Sequence, residues 1–268
     1  MTFVGTLRKT ENLRSQNKQV LAFTLIELLA VISIVGILTA ILVPAVSLIR
    51  TNAQRSSSAQ NLRQWTSALM LFINENEKKI PYEGEEDQPS WGSVRSGANE
   101  QAWYNVLPPY VGERPLNDLR SRDDRALVIR DGSIHLSPGA EVDEQENLRR
   151  PFFSYMMNSQ LYSGEDSAPS NSGEILIRIT SIENPSKTIF ITETRTSTED
   201  GAPNESDERV ARSKGRNNSI SFRFNKQTNV AFLDGHIATV DSADLYNDGR
   251  DPALVGGQLD SFLWYPWN

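Results

Sequence analysis

Residues 23 to 49, FTLIELLAVISIVGILTAILVPAVSLI, hold a single ionisable side chain, Glu27, near the start of an otherwise apolar run. A carboxylate is costly to move into hydrocarbon, so it is kept there where a partner offsets the cost. Few other residues could do chemistry. The chain has no cysteine and only two histidines, His135 and His236, which excludes thiolate metal sites, cysteine nucleophiles and histidine-rich sites. Asp244, Asp248 and Asp251 in DLYNDGRD are candidate calcium ligands, although Tyr246 takes what would be the third ligand position and Val255 the place of the closing Glu. No other cofactor is expected. Asp234 and His236 flank Gly235 and read as turn and strand residues before they read as ligands. Trp91, Trp103, Trp264 and Trp267 could stack on a sugar but are expected in the core. Carboxylate pairs can be nominated for glycoside hydrolysis, but no spacing selects one, so no catalytic residue is assigned and an enzyme is not expected.

The elements that must position Glu27 come first in the chain. Residues 1 to 22 carry Arg8, Lys9, Arg14 and Lys18 against one acid, Glu11, a basic polar leader with no apolar core of its own. The apolar run that follows is longer than the roughly 20 residues needed to span about 30 Å of hydrocarbon. Basic residues flanking a span stay cytoplasmic, so the remainder is expected outside. A cleaved secretory signal would place its small residue after the apolar stretch; here Ala22 precedes it, and cutting there leaves the helix attached. Pro44 removes a backbone donor and predicts a kink, with Gly36 loosening the same helix and Thr24, Ser33 and Thr39 available to satisfy freed backbone groups. The net charge of -7, with dispersed basic residues, disfavours nucleic acid.

The words Ala-Phe-Thr-Leu-Ile-Glu, followed by the apolar run to Val46, resemble the prepilin signal of type IV pilins and type II secretion pseudopilins. The resemblance implies that a membrane peptidase cuts between Ala22 and Phe23 and methylates the Phe23 amine. It also implies that Glu27 is the family's assembly glutamate and Pro44 its mid-helix proline. The family's residue before the cut is usually Gly; Ala22 is also small, which predicts equal or slower processing. Cleavage would free an ammonium on Phe23 that keeps its charge when methylated, four residues from Glu27, to pair within a chain or between staggered helices.

Beyond the span, AQNLRQWTSALMLFINENEKKIP places Ala59, Leu62, Trp65 or Thr66, Leu69 and Phe72 or Ile73 at three- and four-residue spacing, which predicts an amphipathic helix continuing to about residue 77 and stopped by Pro81 and Gly84. Arg50 and Arg55 suit the outer membrane boundary. Residues 78 to 268 read as a β-rich head. GEILIRITSI, KTIFITET, SISFRF and NVAFLDGHIATV are expected strands. Asp234-Gly235 predicts a hairpin turn with both residues at positive φ, and LVIRDGSIHL repeats the pattern around Asp131-Gly132. EGEEDQPS, YSGEDSAPSNSG and STEDGAPNESDER are expected surface loops. The fold class is therefore α+β and pilin-like: a long N-terminal helix, membrane-spanning over about 23–49, packed on an antiparallel sheet with long loops.

Four blocks, QNLRQ, SYMMNSQL, TIFITET and NVAFLDGH, resemble in kind and order those of large pilin-like proteins of the planctomycete and verrucomicrobial type. That group usually has a His upstream of the Asp-Gly where this chain has Phe224, which argues against a site built on it. The resemblance implies a structural subunit of a secretion pseudopilus or type IV pilus-like filament in the bacterial inner membrane, its head in the periplasm. Its partners would be a prepilin peptidase/methyltransferase, other pilin or pseudopilin subunits and an inner-membrane assembly platform. The alternatives are a membrane-anchored envelope protein whose head binds a glycan or a protein, and an anchored hydrolase.

Overall fold

The structure, a computed structural model, describes residues 24–86, 88–161, 177–196, 211–215 and 219–242. The Ala22–Phe23 junction, Asp244, Asp248, Asp251, Trp264, Trp267, the whole of the acidic loops YSGEDSAPSNSG and STEDGAPNESDER, and the first four residues of GEILIRITSI lie outside the described residues.

Helix α1 spans Leu25–Glu75 and runs through Pro44. Its residues fall into two compact units divided after Ser47, and its surface changes character along its length. In the first unit the large apolar side chains point outward on every face, from Leu25 to Val46, each more than half exposed. The hydroxyls of Ser33 and Thr39 donate to the carbonyls of Leu29 (2.8 Å) and Val35 (2.6 Å). They therefore bond their own turns rather than the Ala40 carbonyl that Pro44 leaves without an amide partner. In the second unit only one stripe is buried: Ser58, Leu62, Trp65, Thr66, Ala68, Leu69, Phe72 and Ile73. An all-round apolar surface suits hydrocarbon, while a stripe suits a globular core.

The helix stops before the expected proline. Glu77 and Lys78 take left-handed backbone (φ 53° and 66°), and the Lys78 amide reaches back to the Ile73 carbonyl at 2.8 Å, closing the last turn. Ion pairs from Lys79 and Arg178 to Glu77, both 3.3 Å, flank this end. Pro81 and Gly84 lie in the extended segment that follows.

Five strands form the described sheet: β1 (Tyr155–Asn158), β2 (Ile189–Glu193), β3 (Lys214–Gly215), β4 (Gln227–Phe232) and β5 (Ile237–Asp241), in the order β3-β1-β2-β4-β5. All neighbours are antiparallel except β3, a two-residue parallel edge on β1. Alternate side chains serve two cores. Tyr155, Met157, Ala231 and Leu233 join the main cluster with the α1 stripe, whereas Met156, Val230 and Phe232 join a second cluster with Ile220, Phe222 and Val240. A register shift between Ile189 and Ile191 lets the consecutive Phe190 and Ile191 both enter the main cluster. Trp65 and Trp103 meet edge-to-face at 5.1 Å in that cluster. Trp91 and Trp103 are buried, their indole N–H groups donating to the Asn147 and Ser213 carbonyls, so neither offers a stacking face.

Three expected strand signals fold otherwise. LVIRDGSIHL keeps a left-handed Gly132 but forms turns, because α1 takes its backbone acceptors: Trp65 Nε1 donates to the Ile134 carbonyl (3.0 Å) and Asn61 Nδ2 to that of Leu136 (3.1 Å). SISFRF is reduced to one bridge between Ile220 and Thr194, and the described part of GEILIRITSI to a bridge between Arg178 and Lys79 before a short 3₁₀ turn at Ile179–Ser181. The β4–β5 hairpin forms as expected, with only Gly235 at positive φ (95°). The Gly235 amide bonds the Phe232 carbonyl at 3.0 Å, making a three-residue loop that needs a single left-handed residue.

Leu69 is fully buried and Leu71, two residues on, is half exposed. Leu69→Ala is expected to cost about 2–5 kcal/mol and Leu71→Ala under about 0.5 kcal/mol, read by chemical denaturation of the solubilised protein. His135 sits edge-on to the Trp65 ring at 5.4 Å; burial pulls its pKa down to about 4, opposed in part by a hydrogen bond to the Arg114 main chain. The folded state thus resists a proton that the unfolded chain accepts below about 6.5, and stability falls as pH drops from there toward 4, by at most about 3 kcal/mol. His135→Phe should flatten that acid limb when denaturation is followed across the same pH range.

Candidate functional site

The start of α1 is built from Thr24 and Glu27. The Thr24 amide and hydroxyl both donate to Glu27 Oε2 at 2.8 Å, and the Glu27 amide donates to Thr24 Oγ1 at 3.3 Å. This reciprocal pair is a capping box, which satisfies two N-terminal amides and sets a negative charge at the positive end of the helix dipole. The spacing Thr-x-x-Glu ahead of an apolar run was the sequence signal for it. Glu27 is therefore bonded locally in the single chain, through Oε2. The side chain remains exposed, and Phe23 lies outside the described residues.

A second carboxylate, Glu193 at the end of β2, had no sequence reading of its own. It is fully buried. Ser58 of α1 and Ser137 donate to Oε1, the latter at 3.3 Å; Thr228 Oγ1 (3.1 Å) and the Asn229 amide (3.4 Å), both on β4, donate to Oε2. Tyr155 Oη on β1 lies 3.1 Å from Ser58 Oγ. Burial pushes the Glu193 carboxyl above the usual carboxylate range, while nearby Arg223 and the hydrogen bonds pull the other way. Ionising Glu193 thus costs stability as pH rises above the ordinary glutamate value, opposite in sign to the His135 effect. The signal for such a site was faint: one acid closing the strand IFITE.

Asp234 and His236 form a local pair at the hairpin tip. Asp234 Oδ1 lies 2.6 Å from His236 Nδ1 and accepts from the His236 amide at 3.1 Å, and the imidazole stacks on Phe232 at 4.1 Å. Phe224 is buried. Among the described residues, no group of three or more His, Asp or Glu side chains is placed to hold a metal ion. The cleft between α3 (Arg122–Ala126) and α4 (Glu144–Arg149), about 600 Å³, has charges of both signs on its lining, Arg122 and Arg130 with Asp123 and Glu144. No set of side chains there converges on one chemistry.

The structure and the known proteins bear most directly on the N-terminal segment. α1 is long and apolar enough to cross a membrane, and its apolar half begins at the Thr24–Glu27 cap. No curated protein and no solved structure matches the chain. Residues 17–43 match the family described as prokaryotic N-terminal methylation motif. The chain thus carries a prepilin-type N-terminal signal on an α+β fold with a long apolar N-terminal helix.

Proposed function

We propose that this protein is a pilin-like structural subunit: cut between Ala22 and Phe23 by a prepilin peptidase that methylates the new amine, held in the inner membrane by the first half of α1, and assembled through that helix with like subunits. The observation that carries the reading is the methylation motif over residues 17–43, whose apolar helix bears one carboxylate, Glu27. A plain anchor needs apolar length alone. A subunit drawn into a filament core needs in addition a device that matches charge between neighbouring helices, and a desolvated ammonium and carboxylate supply one. The QNLRQ, SYMMNSQL, TIFITET and NVAFLDGH blocks, in that order, support placement among the large pilin-like proteins of the planctomycete type. In this reading the head lies in the periplasm and an inner-membrane platform drives assembly.

Glu27 has two roles in this scheme that a mutation separates. In the single chain it caps α1 together with Thr24; in the filament it is the counter-charge to the Phe23 ammonium. Glu27→Gln retains a side-chain acceptor for the cap but loses the charge, and Glu27→Ala loses both. Intact-mass measurement should find wild type and both variants beginning at a methylated Phe23 in the membrane pool. The fraction of processed protein in sheared filaments should fall roughly tenfold or more in Glu27→Ala, because deleting one partner of a buried pair strands the other. Glu27→Gln should fall between the two. Wild-type partition by Glu27→Ala would favour an anchored binding protein instead, and a chain beginning at Met1 would remove the processing step.

A further inference from the structure

The second unit holds α1 in two chemically different ways. From Leu62 to Ile73 the contacts are those of an apolar core, in which Leu62, Trp65, Ala68 and Leu69 are fully buried. The turn before it, Gln54 to Ser58, has no large apolar side chain at all. Its attachments are polar. The Arg55 carbonyl accepts from Asn229 Nδ2 at 2.9 Å, the Arg55 guanidinium donates to Gln227 Oε1, and Ser58, the first buried side chain of the helix, donates to Glu193. Gln54 lies over Gly139, where a β-carbon would come within 3.2 Å of it. Of the Ser56-Ser57-Ser58 run, only Ser58 is buried.

Glu193 is the common acceptor in this arrangement. One carboxylate joins α1 through Ser58, the 133–137 turn through Ser137, and β4 through Thr228 and Asn229, with Tyr155 of β1 behind Ser58. Asn229 is itself held by Thr239 of β5 at 2.9 Å. Apolar contacts are non-directional and tolerate sliding, whereas a buried carboxylate with four donors has one arrangement that satisfies all of them. Leaving such a group partly satisfied is costly, which makes the arrangement specific.

We propose that Glu193 is a lock on the first buried turn of α1: with Arg55 bonded to Gln227 and Asn229 and Asn61 to the Leu136 carbonyl beside it, the carboxylate, and not the apolar core, is the contact on which the seating of residues 54–61 depends. When the lock is broken, this turn peels away while the Leu62–Ile73 stripe stays seated. The inference stands whether or not the chain is processed and assembled as proposed above.

Amide hydrogen exchange on the full chain in detergent micelles, resolved to peptides by mass spectrometry, tests it. Ser58→Ala removes only the donor from α1 and leaves the other three on the carboxylate; Glu193→Gln replaces the shared acceptor itself. Exchange over residues 54–61 should quicken roughly tenfold or more in both variants, with residues 65–73, β2 and β4 at wild-type rates. Equal acceleration across helix and sheet would show that Glu193 serves global stability instead, and wild-type rates over residues 54–61 in Ser58→Ala would show that no lock exists. If Glu193→Gln fails to fold, Ser58→Ala alone decides between these outcomes.

Discussion

One helix carries two different side-chain surfaces along its length. Apart from the Ala40 carbonyl, which Pro44 leaves without an amide partner, the backbone of α1 is satisfied by its own ladder, as suits a segment apolar enough for hydrocarbon, but the side-chain problem is solved separately in each half. In the first unit no face is set apart from any other, and apolar side chains project all round. In the second unit the helix gives the head a stripe, and that stripe organises the main core: Trp65 meets Trp103, and Trp65 and Asn61 bond the Ile134 and Leu136 carbonyls of the turn region. The sheet is buried on both sides for a related reason. β1 and β4 send alternate residues to the helix core and to the second cluster, and β2 sends Phe190 and Ile191 to the first and Ile189 to the second.

Two carboxylates mark the two regimes. Glu27 stays exposed and is bonded at its own helix terminus by Thr24, so a single chain holds it without a distant partner. Glu193 is sealed inside and is satisfied by residues drawn from distant parts of the chain, up to 135 positions away. The first is a local cap at a helix end, and the second joins segments far apart in the chain. Neither cluster presents the converging open geometry of a catalytic pair.

How much of this could be read from the sequence followed the range of the interactions concerned. The α1 stripe, β2, β4, β5 and the Asp234-Gly235 turn were legible because each rests on local period or local turn chemistry. So was the Thr24–Glu27 cap, although its spacing was not read as one. LVIRDGSIHL was misread because its backbone acceptors are bonded by Asn61 and Trp65, some seventy residues upstream, and no local pattern reports that. The helix ends at Glu75, close to the expected residue 77, but the stop is made by Glu77 and Lys78 in left-handed backbone rather than by Pro81 and Gly84, a conformation usually signalled by glycine or asparagine. Glu193 was missed because its environment is assembled entirely by tertiary contacts. Trp91 and Trp103 fell in the core, as large aromatics with a backbone acceptor within reach do.

The chain has no cysteine, so single cysteines placed along α1 can be labelled without background. In native membranes, labelling by a water-soluble maleimide should be uniformly low from Leu25 to Ile49. Between Gln54 and Ile73 it should oscillate with the helical period of about 3.6 residues, with minima at Ser58, Leu62, Trp65, Leu69 and Ile73. Helical oscillation throughout the first half would mean that this half also lies against a protein core or along a water boundary, and would contradict a single helix that passes from hydrocarbon into its own head.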